Sequence, residues 1–239
     1  MSHYVMSDIH GDYDSYRKML EKIQFSDADT LYIIGDIVDR GEHPIKILLD
    51  VMERPNVVFL VGNHEVMFCE CMKFLLQGVT EENINNIDEE LMEKLTTWMY
   101  NGAEPTMSEF AKLPADKRKK VAGFLMDSDL YEELEILGRE YILVHTGPAN
   151  VMPEKEICDY ELDELVWERP DYHTCLFGDK YVIMGHTPTQ LIEDAERPGY
   201  IYHCGRNTVI DCGCGSRSGR LGCMRLEDGA EYYVEKDEK

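Results

Sequence analysis

The sequence predicts an α/β fold in which parallel strands bring polar side chains to one edge of a sheet. Over residues 1–65 a strand, a loop and a helix follow one another repeatedly, the pattern typical of βαβ units. Five apolar runs are each followed closely by Asp, Asn or His; they are residues 4–6, 31–34, 57–61, 141–144 and 181–184. Ligands of open α/β sheets bind outside the carboxyl ends of the strands, so these ends are expected to build a functional site.

The N-terminal part contains two consecutive βαβ units. Their predicted elements are strand 3–7, helix 13–24, strand 30–35, helix 43–53 and strand 57–61. Tyr16, Met19, Leu20 and Ile23 recur at helical spacing in the first helix, and Pro44 lies in the first turn of the second, where proline is tolerated. Two such units imply a parallel sheet with right-handed crossovers.

Residues 66–128 interrupt this rhythm and predict a helical cap inserted beside the site. The predicted elements are helix 65–77, an Asn-rich turn at 83–86, helix 88–99, a loop at Asn101-Gly102 and helices 106–112 and 115–127. The basic run 117–120 is expected to be a solvated helix face, with substrate steering as the alternative. No linker rich in Gly, Pro or Ser divides the chain, so a single domain spanning 1–239 is predicted.

The C-terminal part predicts further strands. Residues 134–137 and 141–145 should form a hairpin across Gly138-Arg139, and a polar loop, 147–177, should lead to strand 180–185. The remaining predicted strands are 200–204, 207–212, 220–226 and 231–235, with a turn at Glu227-Asp228-Gly229 between the last two.

Charge limits the possible partners. The chain has 24 basic and 47 acidic residues, a net charge of −23, which repels duplex nucleic acid and anionic membranes. An anionic substrate therefore needs local positive charge from metals or arginines.

No apolar run reaches the ~18 residues of a membrane span, and the N-terminus lacks a signal-peptide pattern, so the expected location is cytoplasmic. The oligomeric state stays open.

Eight cysteines without a signal peptide are expected to be free thiols. Cys212 and Cys214 should lie on one face of a strand, and with Cys204 and Cys223 they could hold zinc. The absence of a C-x-x-C pair favours buried small side chains instead. A redox-sensitive pair is a further alternative.

The polar strand ends carry a set of oxygen and imidazole donors: Asp8, His10, Asp36, Asn63, His145 and His186. Such a set without thiolates suits Mn, Fe or Zn, and accepts Mg in some cases. Six protein ligands exceed what one catalytic ion needs. They divide naturally into a site for two divalent metal ions with Asp36 as the bridge, a site that activates water and clamps the oxygens of an in-line displacement.

Three neighbouring residues complete a scheme for phosphate chemistry. The guanidinium of Arg40 suits the non-bridging oxygens of a phosphate. His64 could protonate a leaving-group oxygen, and Asp39 could orient that imidazole and hold its proton.

Three ordered blocks carry a family resemblance: Asp8-Ile9-His10-Gly11, Gly35-Asp36-Ile37-Val38-Asp39-Arg40-Gly41 and Gly62-Asn63-His64-Glu65. Asp8, Asp36 and Asn63 are 28 and 27 residues apart. The chain resembles the phosphoprotein phosphatase family of calcineurin-like metallophosphoesterases, most of all the compact serine/threonine phosphatases of bacteria and bacteriophages. The resemblance extends to His145 and His186 and is thin across the cap and the C-terminal strands.

The resemblance implies a two-sheet sandwich flanked by helices and a role for each motif residue. Asp8, His10 and Asp36 would hold the first metal, and Asp36, Asn63, His145 and His186 the second. Arg40, Asn63 and Arg169, the last of these in Trp167-Glu168-Arg169, would bind phosphate. A metal-bridging hydroxide would attack in line, with His64 as general acid paired with Asp39. The chain departs from many relatives at residues 146–150. It also has Cys212 at a position where related enzymes often have threonine or serine.

Single residues also have structural explanations. Asp12 is expected to cap helix 13–24, and Asp8 could do the same. His145 and His186 could each be core histidines, and Arg169 could pair with Glu168 or Asp171 at the surface. The remaining histidines match no block and are expected to be structural or exposed; they are His3, His43, His173 and His203.

The predicted function is a metal-dependent phosphomonoesterase, a serine/threonine protein phosphatase, acting on phosphoproteins or small phosphoesters. The alternative is a symmetrical diadenosine tetraphosphate hydrolase, which shares the fold and metals. That subfamily tends to replace the equivalent of Asp39 and to end the third block in Asp, whereas this chain has Asp39 and Glu65. A third possibility from another class is a non-catalytic metal-binding scaffold that recognises phosphate.

Overall fold

A computed structural model describes residues 1–78, 87–216 and 218–236, which form two five-stranded sheets with helices around them. The first sheet has the order β10-β9-β1-β2-β3. Its parallel side comprises β1 (His3–Met6), β2 (Thr30–Ile34) and the edge strand β3 (Val57–Leu60). The strands β9 (Arg220–Arg225) and β10 (Glu231–Glu235) extend it antiparallel from β1. The predicted α/β two-sheet architecture is confirmed.

The second sheet has the order β4-β5-β6-β8-β7. Its strands are β4 (Tyr131–Ile136), β5 (Arg139–Val144), β6 (Tyr181–Met184), β7 (Tyr202–Cys204) and β8 (Asn207–Val209). Here β5, β6 and β8 run parallel. The predicted hairpin is present, but its turn is Leu137-Gly138, one residue earlier than expected. Both turn residues have positive φ, 50° and 77°, as a type I′ turn requires.

Seven helices lie in the described part of the chain. They are α1 (Tyr13–Lys22), α2 (Pro44–Met52), α3 (Asn63–Gln77), α4 (Glu89–Tyr100), α5 (Glu104–Lys112), α6 (Ala115–Met126) and α7 (Leu162–Val166). Asp12 caps α1 by accepting from the Ser15 N–H, as expected. The prediction of an unbroken loop over 147–177 was wrong, because α7 and a 3-10 turn at Ile157–Asp159 lie there. The Asn-rich turn at 83–86 lies outside the described residues.

Alternating side chains divide the core into layers on either side of the sheets. Val5, Ile34 and Leu60 point between the sheets and pack with residues of the second sheet. Met6 and Ile33 point to the other side and pack against the helices. All five are fully buried, as expected for parallel strands covered on both faces. The parallel pairing of β1 with β2 and of β2 with β3 brings the polar residues that follow these strands to one edge of the sheet.

The helices α3 to α6 form the predicted cap between β3 and β4. The cap has an aromatic core, in which Phe68 stacks on Trp98 at 5.3 Å between ring centroids and meets Phe110 edge-on at 5.1 Å. Three residues of the basic run, Lys117, Lys119 and Lys120, are exposed on α6, consistent with a solvated face. Among the described residues, no helix combines the length and the apolar character that crossing a bilayer requires.

The cysteines are free thiols, but the prediction that Cys212 and Cys214 share one face was wrong. Cys212 packs between the sheets, whereas Cys214 packs in the helix-side core. The strand β8 ends at Val209, and Gly213 has a φ of 78°, which breaks the alternation. Cys223 is also buried. Within the part of the chain that the structure describes, no three-residue metal-ligand group includes Cys204, Cys212, Cys214 or Cys223.

Candidate metal centre and active site

The site lies where the strands of both sheets end, and its backbone is unusual. Six of its residues that are not glycine have positive φ: Asp8 (52°), His10 (47°), Asp36 (56°), Asp39 (70°), Arg40 (66°) and His186 (64°). This left-handed conformation is uncommon for residues other than glycine and costs about 1–3 kcal/mol where the residue is strained. Such residues cluster at functional sites, because the surrounding structure must hold them.

Asp36 is the centre of two groups of potential metal ligands. In one group, Asp36 Oδ2 lies 3.6 Å from His10 Nε2 and 3.9 Å from His64 Nε2. In the other, Asp36 Oδ1 lies 3.5 Å from His145 Nε2, and His186 completes the group. The donor atoms of each group all lie within 4.8 Å of one another. Asp36 therefore belongs to both groups, and its role as the bridge between two metal ions stays a prediction.

The histidine rings are oriented as metal ligands usually are. In His10 and His145 the Nδ1 atoms lie 3.0 and 2.9 Å from the carbonyl oxygens of Val38 and Ile34. The other ring nitrogen, Nε2, then points towards Asp36. In His186, Nε2 lies 3.1 Å from the Trp167 carbonyl oxygen and leaves Nδ1 for the site. A carbonyl acceptor on one nitrogen fixes the tautomer that presents a lone pair at the other.

The residues fit a pair of divalent cations. Asn63 Oδ1 lies 3.0 Å from both His145 Nε2 and His186 Nδ1, close to the ~3 Å between neighbouring ligands of an ion bound at ~2.1 Å. Burial raises the pKa of Asp36 well above its usual value, and the charges of Asp8 and Glu65 raise it further. Buried carboxylates need positive charge nearby to remain ionised, and bound cations would supply it here.

Asp8 lies beside these groups without belonging to either. Its Oδ2 accepts from the Ser7 hydroxyl and, at 3.1 Å, from the His186 N–H. A further buried acid, Asp211, interacts with Asp8 and was not predicted; burial and the charge of Asp8 raise its pKa well above the usual value. The first ligand group contains His64 at the position where the sequence suggested Asp8. The role of Asp8 as a ligand stays a prediction.

His64, Asp39 and Arg40 form a hydrogen-bonded chain beside the ligand groups. His64 Nδ1 lies 2.7 Å from Asp39 Oδ2, and His64 Nε2 lies 2.9 Å from Arg40 Nη2. Since the guanidinium is always a donor, Nε2 accepts and Nδ1 carries the proton given to Asp39. Burial lowers the pKa of His64 well below its usual value, and the charge of Arg40 lowers it further. The predicted trio is thus assembled.

The cap supplies two partners of Asp39 that sequence reasoning missed. The indole Nε1 of Trp98 donates to Asp39 Oδ2 at 2.8 Å, and the Thr106 hydroxyl donates to Oδ1 at 2.6 Å. The Thr106 hydroxyl also accepts from the Asp39 N–H at 2.8 Å. Burial raises the pKa of Asp39 to about 7, while these hydrogen bonds and Arg40 oppose the rise. Nothing in the spacing of Trp98 or Thr106 marks them, although Trp98 is one of only two tryptophans.

Glu65 has a structural role that its position in the third block did not reveal. The side chain is fully buried. One oxygen accepts from the N–H groups of Asp36 (2.8 Å) and Gly62 (3.0 Å), and the other from those of Ile37 (2.9 Å) and Val38 (3.1 Å). Glu65 therefore fixes the loop that carries Asp36, Asp39 and Arg40.

Gly62 permits the close approach of that loop to the third block. A Cβ atom at position 62 would lie 2.3 Å from Asp36 Oδ1 and 2.9 Å from the His145 ring. Both distances are far shorter than any van der Waals contact. The glycine is required because the Asp36 carboxylate occupies the space of a side chain.

Arg169 is exposed at the rim of the site. Its charge contributes, after burial and His145, to lowering the pKa of His186 to about 2. Glu168 binds the Ala149 N–H at 2.6 Å, and Asp171 binds the His173 N–H at 3.0 Å. The two carboxylates suggested as its surface partners are thus engaged elsewhere.

A groove of about 1050 Å³ opens from the metal-ligand side of the site. Its walls include His10 and Arg40 at the inner end and Tyr13, Lys18 and Lys236 further out. Asp12, Asp14 and Glu42 also line it, so its charge is mixed. The Lys46 ammonium lies 3.7 Å from the centre of the Tyr13 ring, on the ring face. The groove is large enough for a substantial leaving group.

The fold and the site together define a metallophosphoesterase. The model of the calcineurin-like phosphoesterase family matches residues 1–214, and the chain belongs to that family. It is therefore a phosphoester hydrolase of a family that uses divalent metals.

Two curated relatives are symmetrical bis(5'-nucleosyl)-tetraphosphatases. The one from Wigglesworthia glossinidia brevipalpis is 30% identical over 127 residues, which cover 51% of this chain and 43% of the relative. The one from Buchnera aphidicola subsp. Acyrthosiphon pisum (strain 5A) is 43% identical over 70 residues, covering 28% of this chain and 25% of the relative. The matches thus span less than half the length of these relatives.

Solved structures share the fold at low sequence identity. One, whose proposed identity is a diadenosine tetraphosphatase, has a TM-score of 0.67 and 16% identity and covers 100% of this chain and 95% of its own. A Saccharomyces cerevisiae protein serine/threonine phosphatase with similarity to human phosphatase PP5 has a TM-score of 0.59 and 14% identity, covering 100% and 81%. The fold is common to both kinds of enzyme.

Proposed function

We propose that the protein hydrolyses phosphoric esters or anhydrides at a centre of two divalent metal ions bridged by Asp36. Asp36, His10 and Asp8 would hold one ion, and Asp36, Asn63, His145 and His186 the other. Bound metals would supply a water activated at neutral pH and neutralise charge on the phosphoryl group. The observation that carries this proposal is the pair of donor groups that share Asp36.

Arg40 and His64 would act on the substrate in sequence. In the structure the Arg40 guanidinium donates to His64 Nε2 at 2.9 Å, so neither group is yet placed for chemistry. A phosphate between Arg40 and Arg169 would compete for the guanidinium, since bidentate arginine–phosphate pairs are stronger than bonds to a neutral imidazole. His64 Nε2 would then be available to carry a proton and donate it to the leaving oxygen. Asp39, on Nδ1, would stabilise the protonated ring.

For the substrate we propose a dinucleoside polyphosphate as the first candidate. The groove beside Arg40 is at the upper end of the ~300–1,000 Å³ typical of small-molecule sites. Lys18, Lys236 and Tyr13 line it. Lys236 Nζ, which lies 3.3 Å from Asp12 Oδ2, and Lys18 would turn to a phosphate chain, and the face of the Tyr13 ring that Lys46 does not cover would receive a base. These cations matter because a net charge of −23 otherwise repels a polyanion. The activity of the two curated relatives supports this choice.

The second candidate is the phosphoserine or phosphothreonine of a protein, which was the expectation from the sequence. Its support is the Asp39–His64 pair, with 2.7 Å between Oδ2 and Nδ1, together with Glu65 at the end of the third block. Both features match the protein phosphatases that the motifs resemble. Manganese is the metal we propose, because carboxylate, amide and imidazole donors suit it.

The test compares hydrolysis of diadenosine tetraphosphate and of a phosphoserine peptide by the same manganese-loaded protein. For the doubly substituted Lys18→Gln/Lys236→Gln variant we expect KM for the dinucleotide to rise about tenfold, equivalent to about 1.4 kcal/mol, with unchanged peptide turnover. Lys119→Gln/Lys120→Gln, on the exposed face of α6, removes the same charge as a control. Turnover of the peptide alone would reject the first candidate.

The hydrolysis assay, combined with metal analysis, also tests whether the protein is a non-catalytic scaffold. Metal analysis is expected to give two ions per chain for the wild type and at most one for Asp36→Asn. Only the wild type should be active. A wild-type protein that retains two ions and cleaves neither substrate would favour the scaffold instead.

A further inference from the structure

Away from the metal centre, a cysteine, a histidine and an aspartate form a continuous chain of contacts at the surface. Cys204 Sγ lies 3.2 Å from His173 Nδ1, and His173 Nε2 lies 3.0 Å from Asp194 Oδ2. The three residues come from different segments, the end of β7 and the loops before and after β6. The order of groups is that of a nucleophile, a base and an orienting acid.

Neighbouring groups hold this arrangement in place. Asn207 Nδ2 donates to the carbonyl oxygens of Tyr172 and Thr174, both at 2.8 Å, and so fixes the backbone on either side of His173. The Tyr202 hydroxyl donates to Asp194 Oδ2 at 2.9 Å. Burial and the hydrogen bond to Asp194 raise the pKa of Tyr202, so it remains a donor at neutral pH. Asp194 is thus held against the imidazole.

A small reagent has access to the cluster. The His173 and Asp194 side chains are 63% and 51% exposed, and Cys204 is partly exposed at the edge of the second sheet. The other cysteines differ. Cys175 is exposed, but its thiol donates to the Gly178 carbonyl oxygen. Burial raises the pKa of Cys71 to about 11, which keeps that thiol protonated and unreactive.

We propose that Cys204 is a modification site that undergoes thiol–disulfide exchange with low-molecular-weight disulfides. His173 Nδ1 takes the proton of the thiol, and Asp194 stabilises the imidazolium at Nε2. The thiolate attacks one sulfur of the disulfide, so that a bond forms between Cys204 Sγ and that sulfur while the original S–S bond breaks. The departing thiolate takes the proton from His173. The disulfide is the oxidant, and its other half leaves as a reduced thiol.

The experiment measures the rate at which each cysteine of the folded protein reacts with oxidised glutathione, by peptide mapping over time. Cys158 and Cys175 are exposed thiols in the same molecule and serve as internal controls. We expect Cys204 to react at least about tenfold faster than either, since positioned bases typically contribute ~10²–10⁴-fold. In His173→Gln its rate should fall to theirs, and in Asp194→Asn it should also fall.

Labelling of the buried Cys71, Cys212 and Cys223 reports unfolding, so a variant that merely loses its structure is recognised. The inference is overturned if Cys204 of the wild type reacts no faster than Cys158 and Cys175. It is equally overturned if folded His173→Gln retains the wild-type rate at Cys204. Neither outcome depends on phosphoesterase activity.

Discussion

Replacing Glu65 by glutamine tests whether one buried carboxylate holds the loop that carries Asp36. The carboxylate accepts four backbone N–H groups, two on each oxygen. A carboxylate has about four lone-pair sites, so every site is used. Glutamine has the same size but only one acceptor oxygen, and its NH₂ group would face two N–H donors.

The expected cost follows from those two donors. Each buried donor left without an acceptor costs about 1–3 kcal/mol, so Glu65→Gln should lower the free energy of unfolding by about 2–6 kcal/mol. That is a large part of the ~5–15 kcal/mol typical of folded proteins. Whichever oxygen the NH₂ group replaces, at least one of the unsatisfied N–H groups belongs to the loop of Asp36, which has a φ of 56°. Relaxation of this loop should therefore also reduce metal binding.

Urea denaturation and metal analysis of the purified variant measure both effects. Glu70→Gln is the matched control, because it removes the same charge from the same helix. The Glu70 side chain is 41% exposed and lies 3.7 Å from Lys94, and surface pairs of this kind contribute about 0–1 kcal/mol. If Glu65→Gln unfolds at the urea concentration of the control and keeps two metals per chain, the reasoning is refuted.

Other substitutions test the remaining parts of the site. His64→Asn should lower kcat by about 10²–10⁴-fold with unchanged metal content; loss of metal would identify His64 as a ligand instead. Gly62→Ala should reduce bound metal to one ion or fewer, because its methyl group would lie 2.3 Å from Asp36 Oδ1; metal analysis that finds two ions would contradict this. Thr106→Val preserves shape but removes two hydrogen bonds to Asp39; it should lower the free energy of unfolding by about 1–3 kcal/mol and reduce kcat. A denaturation curve and a kcat equal to those of the wild type would exclude this role of the cap.

Much of the site was predictable because each polar group directly follows an apolar strand. His10, Asp36 and His145 lie where their strands end, and parallel strands bring such ends to one edge. Sequence reasoning therefore placed residues from positions 10 to 186 in one crevice.

The unpredicted contacts share a physical cause: they depend on tertiary packing without a local pattern. Trp98 and Thr106 reach Asp39 because two cap helices pack beside the β2–α2 loop, and helical periodicity alone does not give the direction of packing. The positive φ angles of Asp36, Asp39 and Arg40 are a second feature that has no local pattern in the sequence. Local preference disfavours them, and only the hydrogen bonds of the folded loop make them stable. Cys212 and Cys214 were assigned to one face because the turn at Gly213 was not recognised.

The contacts of Asp39 suggest why the cap matters to the chemistry and not only to the shape of the groove. A general acid at His64 requires a protonated imidazole, whereas burial and the charge of Arg40 lower the pKa of that ring. A charged Asp39 opposes this effect because it stabilises the imidazolium. Asp39 is itself buried, and the donors from Trp98 and Thr106 lower its pKa against the effect of burial. The cap thus favours the charged form of the carboxylate, although burial still holds its pKa at about 7, and through that charge it favours the proton on His64. The main chain of Arg40 is also bound to the cap, by a 2.9 Å bond from its N–H to the Gly102 carbonyl oxygen. A change in cap packing should therefore alter kcat even when every metal ligand is unchanged.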